Sequence, residues 1–257
     1  MSHTSPTAGP ATSPPAGAHA SAANRSMAIP LRPIALIYRV IALALIVTGI
    51  VRITGLFSGE PVWNSLLFYT VQSNVLCLVW MAVLVWATVR DLAQRGGRGF
   101  STPSPRVGGA VMMAITVTML VYLIVLVPAS FVQNSNYEPF SLTDNLIHII
   151  TPCLIVIDWA LFTPKGSFRR FDPLLWALIP CAYLVFALTY GGLGGGFVPG
   201  QTYAYPFLDV ASHGWGGVFA RVAVLAITLI GVGYVFFALD RLLAGRRGPA
   251  LPGSTGR

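Results

Sequence analysis

Six long apolar blocks separated by short polar connectors constrain this chain more than any other feature of its sequence. The blocks lie at about 34–57, 64–89, 108–130, 142–163, 173–190 and 213–240. Each has roughly the length of the ~20-residue helix that crosses the ~30 Å hydrocarbon core of a bilayer. Hydrophobic residues make up 55% of the chain and charged residues 9%, whereas an ordinary soluble domain has about 25% charged residues. The sequence therefore predicts an all-α, polytopic membrane protein with six transmembrane helices.

Basic residues are distributed unevenly over the connectors between these blocks. The connectors 90–107 and 164–172 and both terminal segments contain Arg or Lys, whereas 58–63, 131–141 and 191–209 contain neither. This alternation follows the positive-inside rule, by which Arg- and Lys-rich connectors stay in the cytoplasm. It predicts an even number of spans in the cell membrane, with both termini cytoplasmic. Since the net charge of +8 comes largely from these connectors, we expect no nucleic-acid partner.

The chain divides into three parts. Residues 1–33 are rich in Pro, Ala, Ser, Thr and Gly, and such a segment buries too little apolar surface to fold, so we expect a disordered tail. Residues 34–240 form the six-helix domain, and residues 241–257 form a basic cytoplasmic tail. The three cysteines stand singly in apolar blocks, without the paired spacing of a metal site. We expect neither a metal nor a cofactor.

Polar and ionisable residues inside the apolar blocks are the candidates for function. A charge at the centre of a membrane helix costs about 2.5–3.5 kcal/mol, so such residues face the bundle interior and need partners. Arg39 and Asp158 fall near the cytoplasmic side, where we expect them to pair with each other or with Arg169. The remaining residues fall toward the outer side, and we expect one cavity to contain Arg52, Thr70, Gln72, Asn74, Asp144, His148, His213 and Arg221.

Two helical segments have the pattern of a catalytic site. Thr70 and Asn74 are four residues apart and share one helix face, as do Asp144 and His148. At a rise of about 1.5 Å per residue, Thr70 and His148 each lie ~9 Å below the outer end of their helices. A His oriented by a carboxylate is the usual base that activates a hydroxyl nucleophile. Pro152 cannot donate to the carbonyl of His148, which predicts a kink beside this His.

The residue pattern also leaves other interpretations open. Asn74, Gln72 or Arg52 would supply hydrogen bonds to an oxyanion, yet Thr in a membrane helix usually bonds to its own turn. A haem or metal protein would use His148 and His213 as paired ligands. A transporter or lipid-binding protein would use the buried charges as a substrate or proton path.

The same two segments resemble the androgen-induced (AIG and ADTRP) membrane-protein family and its bacterial relatives. The resemblance is carried by Phe68, Thr70, Ser73 and Asn74, and by Asn145, His148, Pro152, Asp158 and Trp159. It covers about residues 34–240 and includes the stretch 205–209. The resemblance implies six helices and an intramembrane threonine hydrolase that splits fatty acid esters of hydroxy fatty acids. It implies Thr70 as the nucleophile, His148 as its base and a membrane lipid ester as the substrate.

Overall fold

Six helices cross the molecule in the computed structural model, which describes residues 29–128 and 139–245. They are α1 Arg32–Thr54, α2 Tyr69–Arg95, α3 Pro105–Leu126, α4 Leu142–Phe162, α5 Asp172–Gly192 and α6 Val210–Gly245. All six are long and apolar enough to span a membrane, and the described residues contain no β-strand. The prediction of an all-α, six-helix, multi-pass membrane protein is confirmed.

The two predicted tails fall largely outside the described residues. Of the expected disordered tail 1–33, residues 1–28 lie outside the described part of the chain. Of the basic tail 241–257, residues 246–257 lie outside it. Both segments contribute helical residues, since α1 begins at Arg32 and α6 continues to Gly245. The helical domain is therefore a few residues longer at each end than the sequence predicted.

The start of α2 lies five residues after the predicted boundary of 64. A 3-10 turn, Trp63–Leu67, occupies the beginning of the predicted block. Phe68 then has an extended backbone (φ −86°, ψ 141°), and the helix begins at Tyr69. Thr70 consequently lies in the first turn of α2 rather than ~9 Å inside the helix. In that position it is close to the unpaired N–H groups and the positive end of the helix dipole.

Two π-helical segments widen α3 and α4 at the same end of the bundle. They are Tyr122–Leu126 in α3 and Leu146–Ile150 in α4. Pro152 follows the segment in α4, and its ring nitrogen has no hydrogen to donate to the His148 carbonyl. The backbone N–H of Thr151 bonds instead to the first carbonyl of the segment. The predicted irregularity beside His148 is thus a π segment, a feature that is frequent at functional sites.

The helices are buried to very different extents. In the most apolar window of α3, 61% of the residues are buried, against 11% in α6. α6 packs against the first turns of α5, Asp172–Trp176. Beyond this contact an apolar cavity opens between α5 and α6. The centre of the bundle is therefore formed by α1 to α4, with α5 and α6 at its edge.

A buried ion pair joins α1 to α4 at the end of the bundle that carries the basic connectors. Arg39 Nε lies 2.7 Å from Asp158 Oδ1, with the two side chains 1% and 4% exposed. The guanidinium also donates to Thr88 Oγ1 at 2.7 Å. The predicted pairing of Arg39 with Asp158 is confirmed. Arg169 instead donates its backbone N–H to the Asp172 carboxylate at 2.8 Å.

Candidate active site

Thr70 of α2 and His148 of α4 meet near the end of the bundle opposite the basic connectors. Thr70 Oγ1 lies 3.4 Å from His148 Nε2, although the two residues are 78 positions apart in the sequence. His148 is 7% exposed, and Thr70 is half-buried. Hydrogen bonds between a nucleophile and its base are often this long before substrate binds. The two residues are therefore within reach of a direct proton transfer.

A backbone carbonyl orients the imidazole ring of His148. His148 Nδ1 lies 3.2 Å from the Asp144 carbonyl oxygen. Because a carbonyl can only accept, Nδ1 carries the hydrogen and Nε2 presents its lone pair to Thr70. The Asp144 carboxylate, predicted to hold the ring, is 3.8 Å from Nδ1 and accepts from Ser141 Oγ at 2.7 Å. Asp144 thus orients the base through its main chain rather than its side chain.

Tyr122, the first residue of the π segment in α3, packs against a face of the His148 imidazole. Its aromatic ring stacks on His148 with centroids 4.0 Å apart and an interplanar angle of 8°. Its hydroxyl accepts the backbone N–H of Phe140 at 2.9 Å, and Phe140 has a left-handed backbone with φ 67°. Sequence reasoning missed Tyr122, whose one signal is a hydroxyl-bearing ring within an apolar run. The imidazole is therefore fixed by stacking as well as by hydrogen bonding.

Asn74 is a structural clamp in this site. Its Nδ2 donates to the carbonyl of Thr70 at 2.7 Å and to that of Ile147 at 3.0 Å. These two bonds use both hydrogens of the amide, and the side chain is almost completely buried. The predicted role of Asn74 as an oxyanion donor therefore does not fit the geometry. Instead, Asn74 ties the first turn of α2 to the π segment of α4.

Gln72 and Arg52, also predicted as oxyanion donors, do not line the cavities that contain Thr70. Gln72 Nε2 donates to the carbonyl of Leu66 at 3.1 Å. The reason is geometric, since residues two apart on a helix do not share a face. Arg52 is exposed, and its Nε donates to Thr143 Oγ1 at 3.1 Å. It therefore links α1 to the start of α4 outside the site.

His213 and Arg221 of α6 likewise lie apart from His148. Neither residue lines the cavity that contains His148. Arg221 is exposed and donates to the carbonyl of Gly217 in its own helix at 3.2 Å. α6 also has a non-helical residue at Gly214 (φ 63°, ψ 166°), directly after His213. The predicted single cavity with all eight polar residues is therefore wrong, because α6 lies at the edge of the bundle.

Two cavities, both with mostly apolar walls, meet at Thr70. The first, which we call the polar vestibule, has a volume of about 470 Å³, and its polar lining residues are Asn64, Ser65, Thr70, Asp144, His148 and Tyr205. The second, the apolar cavity, has a volume of about 110 Å³ and extends between α3, α5 and α6. Thr70, Leu126 and Tyr205 line both cavities. A ligand that occupied both cavities would therefore pass Thr70.

Tyr205 is a further residue of the site that sequence reasoning missed. It lies in the connector between α5 and α6, and its hydroxyl accepts the backbone N–H of Thr70 at 3.4 Å. Its ring packs edge-on against Phe68 with centroids 6.1 Å apart. Burial raises the pKa of Tyr205, so its hydroxyl remains protonated at neutral pH. In the sequence, an aromatic residue in a connector is equally typical of a membrane-interface belt.

The chemistry of the site stands on these contacts. Across residues 29–128 and 139–245, no group of three or more His, Cys, Asp or Glu side chains is placed to hold a metal ion. No family model, curated protein or solved structure matches the chain. The resemblance to the androgen-induced family accordingly stays a prediction from sequence motifs.

Proposed function

We propose that this protein is an intramembrane threonine hydrolase that cleaves lipid esters, of the type in which a fatty acid esterifies a hydroxy fatty acid. The observation that carries the proposal is the contact of Thr70 Oγ1 with the unprotonated Nε2 of His148, at the junction of the polar vestibule and the apolar cavity. A hydroxyl nucleophile needs such an adjacent base. The resemblance of the α2 and α4 motifs to the androgen-induced family supports the same roles.

The reaction would be an acyl transfer in two steps. Thr70 Oγ1 attacks the ester carbonyl carbon while its proton moves to His148 Nε2, and the π electrons move onto the carbonyl oxygen. Collapse of this intermediate breaks the ester C–O bond, and the alcohol leaves with the proton from His148. Water then gives a proton to His148 and attacks the acyl-threonine. The fatty acid leaves as Thr70 recovers its proton, so nucleophile and base suffice without a metal or cofactor.

The two cavities match the two halves of such a substrate. The apolar cavity would take the acyl chain, because its walls are formed by apolar side chains of α5 and α6, including Leu184, Leu225 and Ala226. The polar vestibule would take the alcohol half with its oxygen atoms. The incomplete packing of α5 on α6 offers lateral entry for a membrane lipid. The partner is therefore a membrane lipid ester, and no nucleic acid is involved.

The proposal includes the orientation of the protein in the cell membrane. Since Arg and Lys occur in the connectors at the end opposite the vestibule, both termini would face the cytoplasm and the vestibule would open to the outer leaflet. We expect green fluorescent protein fused after residue 257 to fluoresce. Alkaline phosphatase inserted in the connector 193–204 should be active. An active phosphatase at the C-terminus would contradict this orientation.

A lipid-binding protein or transporter without chemistry is the second candidate function. The apolar cavity favours it, since lipid carriage requires an apolar cavity as much as hydrolysis does. Lipid carriage, however, gives no reason for a His ring that a carbonyl and a stacked Tyr hold with its Nε2 toward a hydroxyl. For this reason we favour the hydrolase.

Release of fatty acid by purified full-length protein in liposomes tests the proposal. We expect hydrolysis of branched fatty esters and of p-nitrophenyl esters, measured by liquid chromatography and mass spectrometry. A fluorophosphonate should block this activity and leave its adduct on the peptide that contains Thr70. Esters that bind but remain intact would exclude the hydrolase and favour lipid carriage.

A further inference from the structure

We infer that the Tyr205 hydroxyl is an oxyanion donor of this site, acting together with the backbone N–H of Thr70. This inference rests on the proposed hydrolase function. Tyr205 Oη lies 3.4 Å from the backbone nitrogen of Thr70. Thr70 is also the residue whose Oγ1 would bond to the substrate carbon. The carbonyl oxygen of an ester attacked at that atom would therefore develop its charge beside both donors.

The hydrogen of the Tyr205 hydroxyl is available for this purpose. The hydroxyl oxygen accepts from the Thr70 N–H, and the hydroxyl also interacts with the side chains of Thr70 and Tyr183, so its hydrogen can move to a substrate oxygen without leaving a carbonyl unpaired. The Thr70 N–H is itself held only by this long bond, and it belongs to the first turn of α2. N–H groups in a first turn have no partner within the helix, and the helix dipole favours negative charge there. The Tyr205 hydroxyl and the Thr70 N–H can therefore both donate to an oxyanion without loss of a hydrogen bond within the helix.

Three other donors around the junction are already committed to protein partners. Asn74 uses both amide hydrogens on carbonyls. The hydroxyl of Tyr183 donates to the carbonyl of Leu67 at 3.2 Å, and that of Tyr69 donates to a carbonyl of α3 at 3.1 Å. Tyr205 thus differs from Asn74, Tyr183 and Tyr69, because its hydroxyl has no carbonyl acceptor among the described residues.

Packing holds the Tyr205 ring in place before any substrate arrives. The ring is 8% exposed and lies edge-on against Phe68. Phe197 is fully buried and also contacts Phe68, with ring centroids 5.8 Å apart. The end of α5 approaches the connector so closely that a Cβ on Gly191 would clash with the Thr202 carbonyl oxygen. Such preorganisation is what makes an oxyanion donor effective.

The test compares Tyr205→Phe with Tyr38→Phe in the purified full-length protein. Tyr38 of α1 donates its hydroxyl to the carbonyl of Leu154 at 2.7 Å and lines neither cavity, so Tyr38→Phe is a matched loss of one partly buried hydroxyl. We expect Tyr205→Phe to lower kcat by about 10²–10³-fold, with KM within about threefold of wild type. Tyr38→Phe should keep kcat within about threefold of wild type.

A transition-state analogue separates chemistry from structure. A trifluoromethyl ketone that matches the acyl chain forms a tetrahedral oxyanion on Thr70, whereas KM reflects the intact ester. We expect Tyr205→Phe to raise the inhibition constant by the same factor by which it lowers kcat. Because the inhibition constant and KM do not depend on the fraction of folded enzyme, partial misfolding would not produce this change.

Three results would overturn an assignment, and they are distinguishable. Hydrolysis by Tyr205→Phe at the wild-type rate would exclude the oxyanion role and leave the hydrolase intact. The same holds if the loss follows Ser65→Ala instead, since the buried Ser65 hydroxyl also lacks a partner in the described part of the chain. An absence of hydrolysis by the wild-type protein would overturn the proposed function itself.

Discussion

Replacing Thr70 by alanine is expected to lower kcat for ester hydrolysis by about 10⁴-fold or more, and replacing His148 by alanine should do the same. Without the hydroxyl there is no acyl-enzyme, and without the imidazole the hydroxyl keeps its proton. Because nucleophile and base act as one unit, the double variant should be no slower than either single variant. Single-turnover kinetics with a p-nitrophenyl ester measure all three rates.

The controls for this result come from the same chain. Thr228 of α6 donates its hydroxyl to the carbonyl of Val224 in its own helix at 2.9 Å, so Thr228→Ala removes a membrane threonine outside the cavities. We expect its activity to stay within about threefold of wild type. Asp144→Asn should retain activity within about tenfold, because the ring is held by the Asp144 carbonyl. Full activity of Thr70→Ala would show that the nucleophile is elsewhere.

Replacing Arg39 by methionine is expected to cause the largest loss of stability, about 3–5 kcal/mol. The change leaves the Asp158 carboxylate, 4% exposed, without its cation. For a chain of this size the loss corresponds to a Tm lower by roughly 6–20 °C. Differential scanning fluorimetry in one detergent measures the shift, and the same variant tests whether the site depends on this distant pair.

The double variant Arg39→Met with Asp158→Leu identifies the cause. Replacing a buried ion pair by apolar side chains is often neutral or stabilising, whereas removal of one partner leaves a buried charge. We expect the double variant to recover most of the lost Tm. A double variant as unstable as Arg39→Met would place the instability in other contacts of Arg39, such as its bond to Thr88.

Hydropathy and connector charge predict the six helices because membrane insertion depends on the length and polarity of each segment alone. The proximity of Thr70 and His148 follows from less certain reasoning. The sequence predicts the same depth for both residues. The predicted start of α2 was nevertheless too early, because the 3-10 turn Trp63–Leu67 occupies that part of the block. The pair meets nonetheless, since that turn and the extended Phe68 lengthen the connector rather than reverse the direction of α2.

The polar partners of these two residues were less predictable. Helical spacing tells which residues share a face, but not which hydrogen bonds the main chain has already taken. Asn74 shares the face of Thr70 as predicted, and two carbonyls occupy its amide. Tyr205 lies in a connector without regular periodicity, and it contacts Thr70 across more than a hundred residues of sequence. Contacts of this kind depend on tertiary packing, which no local pattern contains.

The π segment Leu146–Ile150 gives α4 a defined angular relation between its two ends. Such a segment is equivalent to one residue inserted into an α-helix, so everything beyond it is rotated by about 100° relative to an uninterrupted helix. Asp158, bound to Arg39, fixes the rotation of the far half of α4 about its axis. His148 lies within the segment, so its direction toward Thr70 depends on the local π geometry. A change of register in α4 would therefore separate the base from its nucleophile while every residue of the site remained present.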